Sequence, residues 1–210
     1  VWLDLLLSGD NAVVIALACR NLPPEQRRLG VALGAGAAVA LRIVFTLLIV
    51  YLLKLPFLKL IGGVLLLYIA VRLVFDNHEH GEVEAKSGVW GAVSTIMIAD
   101  GVMSLDNVLA IVGVAEGHLG LIAFGLILSI PLVVFGAGAV LRLIDRFPVI
   151  VWAGAALLGW VGGEMIAEDP FVAGWLDRHG DPPDVVAALA GAALVLAIAG
   201  AIKLKKRRTA

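Results

Sequence analysis

Two stretches of this sequence place acids, a hydroxyl and an amide at identical spacing within otherwise apolar surroundings. The first reads D-L-L-L-S-G-D-N from Asp4 to Asn11, and the second reads D-G-V-M-S-L-D-N from Asp100 to Asn107. Asp, Ser, Asp and Asn thus recur as D-x3-S-x-D-N. With each type at roughly a few per cent of ordinary composition, four matches in eight positions arise by accident with odds on the order of 1 in 10^5 per alignment. Asp carboxylates, Asn carbonyls and Ser hydroxyls are hard oxygen donors, which suit Mn, Ca or Mg and not the softer metals that prefer Cys or His. No His or Cys accompanies the motif. Oxygen donors alone do not separate Mn from Ca.

On a helix turning about 100° per residue, Asp4, Ser8 and Asn11 fall within about 60° of one another, and Asp10 points about 120° away from Asp4. Asp100, Ser104, Asn107 and Asp106 repeat this disposition. All four groups reach one point more easily if the helix is unwound near Ser8-Gly9, where glycine makes a bend cheap. In the second copy the glycine is Gly101, so any bend there falls earlier. Asp10 precedes Arg20, and Asp106 precedes Glu116, by ten residues. At ~1.5 Å of rise per residue, each lies about 15 Å from its helix end, near a bilayer midplane.

The elements that carry these groups are membrane helices. Of 210 residues, 61% are hydrophobic and 16% charged, against roughly 25% charged in an ordinary soluble domain. Seven apolar runs approach or exceed the ~20 residues that cross a bilayer: 1–19, 29–53, 57–75, 88–115, 119–142, 148–167 and 184–202. Pro23-Pro24, Pro56, the polar stretch from Asp76 to Lys86, Gly117-His118, Pro148 and the segment from Asp169 to Pro183 separate them. Val1 in place of Met, with Asp4 close behind, implies a chain that begins partway through its first helix, and no signal-peptide pattern is visible.

Basic residues orient the helices, because short cytoplasmic loops concentrate Lys and Arg. One side carries Arg20, Arg27, Arg28, Arg72, Lys86, Arg142, Arg146 and the tail residues Lys203, Lys205, Lys206, Arg207 and Arg208. The other carries Lys54, Lys59 and Arg178. The N-terminus is therefore expected outside and the C-terminus in the cytoplasm. Each motif opens a block of three helices, and K-L-I-G-G-V-L-L-L-Y-I-A-V-R in the third helix parallels V-W-A-G-A-A-L-L-G-W-V-G-G-E in the sixth. An odd number of helices per block makes the second enter from the opposite face, the inverted-repeat arrangement of many secondary transporters.

The expected fold is an all-α polytopic membrane protein in one transmembrane domain. It consists of repeat one (1–75), a cytoplasmic loop (76–87), repeat two (88–167), an external segment (168–183), an extra seventh helix (184–202) and a basic cytoplasmic tail (203–210).

A carboxylate near the bilayer centre costs at least ~2.5–3.5 kcal/mol, so four of them in two helices demand compensation, which a bound cation would supply. Buried Asp and Asn that lock helix packing through interhelical hydrogen bonds are the bland alternative, and a proton relay without metal is another. Arg42, mid-span, is expected to pair with a motif carboxylate or with Glu164. Arg72 reads as snorkelling to the interface. His78, Glu79, His80 and Glu82 read as a solvated loop rather than a metal collector. Cys19 reads as a small buried residue. Near-zero net charge leaves no electrostatic footprint for nucleic acid. An intramembrane aspartyl protease would need G-x-G-D, but Leu7 stands where its first glycine belongs, so no enzyme is expected.

The segments L-D-L-L-L-S-G-D-N-A-V-V-I-A-L and I-A-D-G-V-M-S-L-D-N-V-L-A-I resemble the two signatures of the TerC family, bacterial membrane proteins named for tellurium resistance that include manganese exporters. The likeness runs from Leu3 to about Glu168. It implies a seven-helix protein of the lysine-exporter type in the plasma (inner) membrane, moving Mn2+ out of the cytoplasm, with no prosthetic group. Carried over by motif position, the implied metal ligands are Asp4, Asp10, Asn11, Asp100, Ser104, Asp106 and Asn107. Export of a divalent cation against an inside-negative potential costs about 4.6 kcal/mol per 100 mV, so exchange with protons at the same carboxylates is the expected coupling. A membrane scaffold or assembly factor is the competing function. The oligomeric state is not legible in the sequence.

Overall fold

A computed structural model describes residues 9–52, 55, 57–75, 85–114, 119–176 and 184–209. Eight α-helices run through them: α1 (Gly9–Cys19), α2 (Pro24–Leu52), α3 (Leu58–Phe75), α4 (Ala85–Val114), α5 (Leu119–Arg146), α6 (Val149–Ala167), α7 (Pro170–Leu176) and α8 (Asp184–Thr209). Six of the seven predicted spans fall on helices of 18 residues or more; the first is represented by the 11-residue α1, and its residues 1–8 lie outside the described residues. Four of the long helices contain a stretch long and apolar enough to cross a membrane: Pro24–Leu48, Leu58–Phe75, Val149–Ala167 and Val185–Lys205. The predicted spans at 1–19, 88–115 and 119–142 fall on α1, α4 and α5, whose side chains are described only in part.

The helices pack as two compact units. One, Val1–Lys54 with His78–Pro148, holds α1, α2, α4 and α5; the other, Leu55–Asn77 with Val149–Ala210, holds α3, α6, α7 and α8. Each unit therefore takes helices from both of the blocks read from the sequence.

In the first unit, α2 packs on α4, and α1 lies against both α4 and α5. Ile15, Leu17, Ile96 and Ala137 fill the interior, while Leu47 and Phe135 turn apolar surface outward, as lipid contact requires. The turn between α1 and α2 is built by Pro23-Pro24 and by Arg27. Pro24 needs no amide donor at a first helical position, and the Pro23 carbonyl accepts from Gln26 N at 2.8 Å. Arg27 donates to the carbonyls of Arg20 at 2.7 Å and Leu22 at 3.0 Å, satisfying acceptors that the end of α1 leaves open. Its remaining nitrogen reaches Asp145 near the end of α5 at 2.7 Å. Pro131 sits within α5 without ending it.

The second unit is held by glycines. A Cβ on Gly63 of α3 would lie 2.5 Å from the Gly162 carbonyl oxygen of α6, and one on Gly162 would lie 2.9 Å from the Gly63 carbonyl oxygen. On the other side of α6, a Cβ on Gly163 would collide with the Ala187 carbonyl of α8, and one on Gly191 with the Gly159 carbonyl. Without water to drive association, membrane helices gain from the dispersion contacts that such close backbone approach allows. The two apolar segments whose parallel the sequence displays, in α3 and α6, are thus in contact.

One element goes beyond the sequence reading. Residues 168–183 are read from the sequence only as an external segment between helices, and within them α7 forms at Pro170–Leu176. Asp169 caps it: one carboxylate oxygen accepts from Phe171 N at 3.1 Å, and Pro170 occupies the first turn. The other oxygen accepts from Leu60 N in the first turn of α3 at 3.1 Å. A single carboxylate, 1% exposed, therefore serves two helix N-termini. Above it Lys59 pairs with Glu168 at 2.8 Å, and the Phe57 and Phe171 rings meet edge to face at 5.2 Å.

Replacing Gly191 by leucine forces α8 away from α6 and is expected to cost about 1–3 kcal/mol. Gly200, whose Cβ would meet open space, is the control: Gly200→Ala should leave the thermal unfolding midpoint in detergent unchanged while Gly191→Leu lowers it by several degrees.

Candidate ion site

The second motif lies on α4, which continues as a regular helix from Ala85 through Val114. The helix is not unwound at Gly101. Gly101 instead lets α2 come close: a Cβ there would lie 3.0 Å from Leu41 Cδ2 and 3.6 Å from the Phe45 ring. That approach puts Arg42 opposite the motif.

Asp100 and Ser104 are four residues apart on one face of α4. Arg42 Nη2 donates to Asp100 Oδ1 at 2.6 Å, and Arg42 Nε donates to Ser104 Oγ at 2.9 Å. Ser104 Oγ in turn donates to Asp100 Oδ2 at 3.0 Å. The three groups are 3%, 3% and 1% exposed respectively, counting Arg42, Asp100 and Ser104 in that order. Thr46 Oγ1, one turn beyond, donates to the Arg42 carbonyl at 2.8 Å. Of the two partners considered for Arg42, the motif carboxylate is in contact with it. The positive charge that Asp100 needs in apolar surroundings is supplied here by the chain itself.

The remaining predicted ligands are placed as follows. Asn11 is buried on α1, in the same four-helix unit. Ala12 beside it faces Gly136 of α5, where a Cβ would stand 3.2 Å away. Asp10 belongs to α1, and Asp106 and Asn107 belong to α4, but their side chains lie outside the described residues, as does Asp4 altogether. Because α4 is unbroken, position 107 shares the Asp100 face, and position 106 sits about 120° around the axis from it. Among the described residues, no group of three or more His, Cys, Asp or Glu side chains is arranged to hold a metal ion. The His/Glu loop lies outside the described residues. Arg72 is exposed, as snorkelling requires, and Cys19 is buried.

Asp169 and Arg27 are the polar residues whose work went unread in the sequence. The signal for Asp169 was available, since an acid directly before proline marks a helix N-cap. Arg27 offered none, because its carbonyl partners are defined only once the turn has formed.

The family model described as "Integral membrane protein TerC family" matches residues 1–210. This chain belongs to the TerC family. Within it, the TerC chain is 39% identical over 197 residues to "Uncharacterized membrane protein YjbE" of Bacillus subtilis (strain 168), covering 94% of this chain and 90% of that one. It is 28% identical to "Uncharacterized membrane protein YkoY" of the same organism, covering 77% of this chain and 56% of YkoY. It is 27% identical to "UPF0053 inner membrane protein YoaE" of Escherichia coli (strain K12), covering 80% of this chain and 36% of YoaE. The TerC chain thus spans nearly all of YjbE, about half of YkoY and about a third of YoaE. No solved structure matches it.

Removing one member of a buried ion pair leaves the other uncompensated. Arg42→Met or Asp100→Leu alone should therefore lower the stability of this TerC protein by about 3–5 kcal/mol, while the double variant recovers most of the loss. Denaturant unfolding of the four proteins in one detergent measures this coupling.

Proposed function

We propose that this TerC protein is a secondary transporter that exports a hard divalent cation, Mn2+ foremost, from the cytoplasm across the inner (plasma) membrane. The observation that carries the reading is the duplicated D-x3-S-x-D-N, whose first copy ends on α1 and whose second lies on α4, two helices packed together within one unit of an integral membrane protein. Such a constellation is costly in a membrane and has oxygen donors only, which fits a hard cation as cargo. The proposed ligands are Asp4, Asp10, Asn11, Asp100, Ser104, Asp106 and Asn107, converging near the midplane from two blocks of opposite orientation, with the N-terminus outside and the basic tail in the cytoplasm. Seven membrane-spanning helices satisfy that parity. The word "inner membrane" in the name of YoaE supports the location.

Coupling to protons completes the proposal. Ligands must be deprotonated to hold a cation, so inward protons and outward metal exchange at the same carboxylates. In proteoliposomes, manganese flux should rise with an imposed pH gradient, and a flux indifferent to the gradient removes proton exchange.

A second reading has one observation in its favour: Arg42 already neutralises Asp100, as it would if the motif served only to lock helices together for a scaffold. Asp106→Asn separates the two readings. In a strain lacking its manganese exporters, the wild-type protein should restore growth on excess manganese and lower cellular manganese, and Asp106→Asn at equal abundance should do neither. Equal protection by both proteins favours the scaffold.

A further inference from the structure

The Arg42 guanidinium occupies the very oxygens that a cation at the second motif would use. Asp100 presents one oxygen to Arg42 Nη2 and the other to the Ser104 hydroxyl, and Ser104 offers its lone pair to Arg42 Nε. A metal ion bound to Asp100 and Ser104 would coordinate the same three oxygens that hold the guanidinium, directly or through the Ser104 hydroxyl. Its charge and that of Arg42 would then stand a few ångströms apart at one carboxylate that is 3% exposed, where repulsion is strong enough to drive the guanidinium off.

We propose that Arg42 is a tethered stand-in for the transported cation, holding Asp100 and Ser104 when cargo is absent and yielding them when cargo binds. The proposal rests on the transport reading above. It divides the work of the return step: Arg42 balances Asp100, so the inward protons need neutralise only the other acids of the two motifs. A guanidinium on a long flexible side chain restores neutrality at Asp100 without a proton and without leaving its own helix. It also sets affinity, since cargo binds only the fraction of molecules in which Arg42 has let go, and the apparent Kd rises by the inverse of that fraction.

Calorimetric titration of the full-length protein in lipid nanodiscs with MnCl2 tests this. Arg42→Gln removes the competing charge but keeps a polar side chain, and its Kd for manganese should fall about tenfold or more below the wild-type value. In proteoliposomes the same variant should turn over more slowly, because cargo is no longer displaced. Adding Asp100→Asn to Arg42→Gln removes the contested ligand along with the competitor, so the gain in affinity should disappear. If Arg42→Gln does not accumulate, Arg42→Lys serves: an ammonium lacks the planar fork that grips carboxylate and hydroxyl together, and manganese should bind several-fold more tightly. A Kd unchanged or weakened in these single variants, or a double variant that binds as tightly as Arg42→Gln, overturns the exchange while leaving transport standing. A wild-type protein that binds no manganese overturns the transport reading and the exchange with it.

Discussion

A carboxylate buried in apolar surroundings must have its charge compensated, and the Arg42–Asp100 pair is where that demand is met at the second motif. The consequences reach outward from it. Gly101 lacks a side chain so that α2 can lie close enough for the guanidinium to reach. Thr46 ties back to the Arg42 carbonyl. Ser104 uses its hydrogen on Asp100 and its lone pair on Arg42, so that no polar atom of the trio is wasted. An ion pair of this kind adds little net stability compared with well-packed apolar residues, while its disruption is costly. The exchange with a cation proposed above is one use of that buried charge that its geometry permits.

The second unit meets a different demand. Glycines at 63, 159, 162, 163 and 191 bring the backbones of α3, α6 and α8 together. Asp169 is its buried acid among the described residues. It is spent on two helix N-termini rather than on a cation, and each orphan amide it satisfies is one that an apolar interior could not. The contrast between Asp100 and Asp169 is instructive: both are buried acids, yet one is balanced by a guanidinium and the other by backbone N–H groups.

Much of this was legible in the sequence. Hydropathy and prolines placed six long helices and the described part of the first span, because length and apolar composition are decided locally. The duplicated motif announced itself by spacing, and the midspan position of Arg42 narrowed its partner to a motif carboxylate or Glu164, of which the structure shows Asp100 in contact. The packing was not legible. The sequence orders helices in blocks of three, whereas the molecule groups α1, α2, α4 and α5 apart from α3, α6, α7 and α8, since which faces meet depends on glycines far apart in the chain. Nor did it reveal that α4 would run unbroken through Asp100 and Asp106. Gly101 permits a bend, but a glycine also permits a close neighbour, and only the arrival of Leu41 and Phe45 decides between the two. The short α7 was missed because a helix of seven residues is fixed by its cap, not by its periodicity.

The unbroken course of α4 sharpens the central question, since position 106 lies about 120° around the axis from Asp100. If the motifs on α1 and α4 together build one cation site, neighbouring helices must present their second acids to each other across the α1–α4 contact. Equilibrium dialysis of the purified protein against manganese, with metal and protein quantified in the same sample, tests this most directly. One shared site predicts a single saturable Mn2+ per chain, lost in Asp10→Asn and in Asp106→Asn alike. Two ions per chain, or none, or a single ion that survives either substitution, would contradict it.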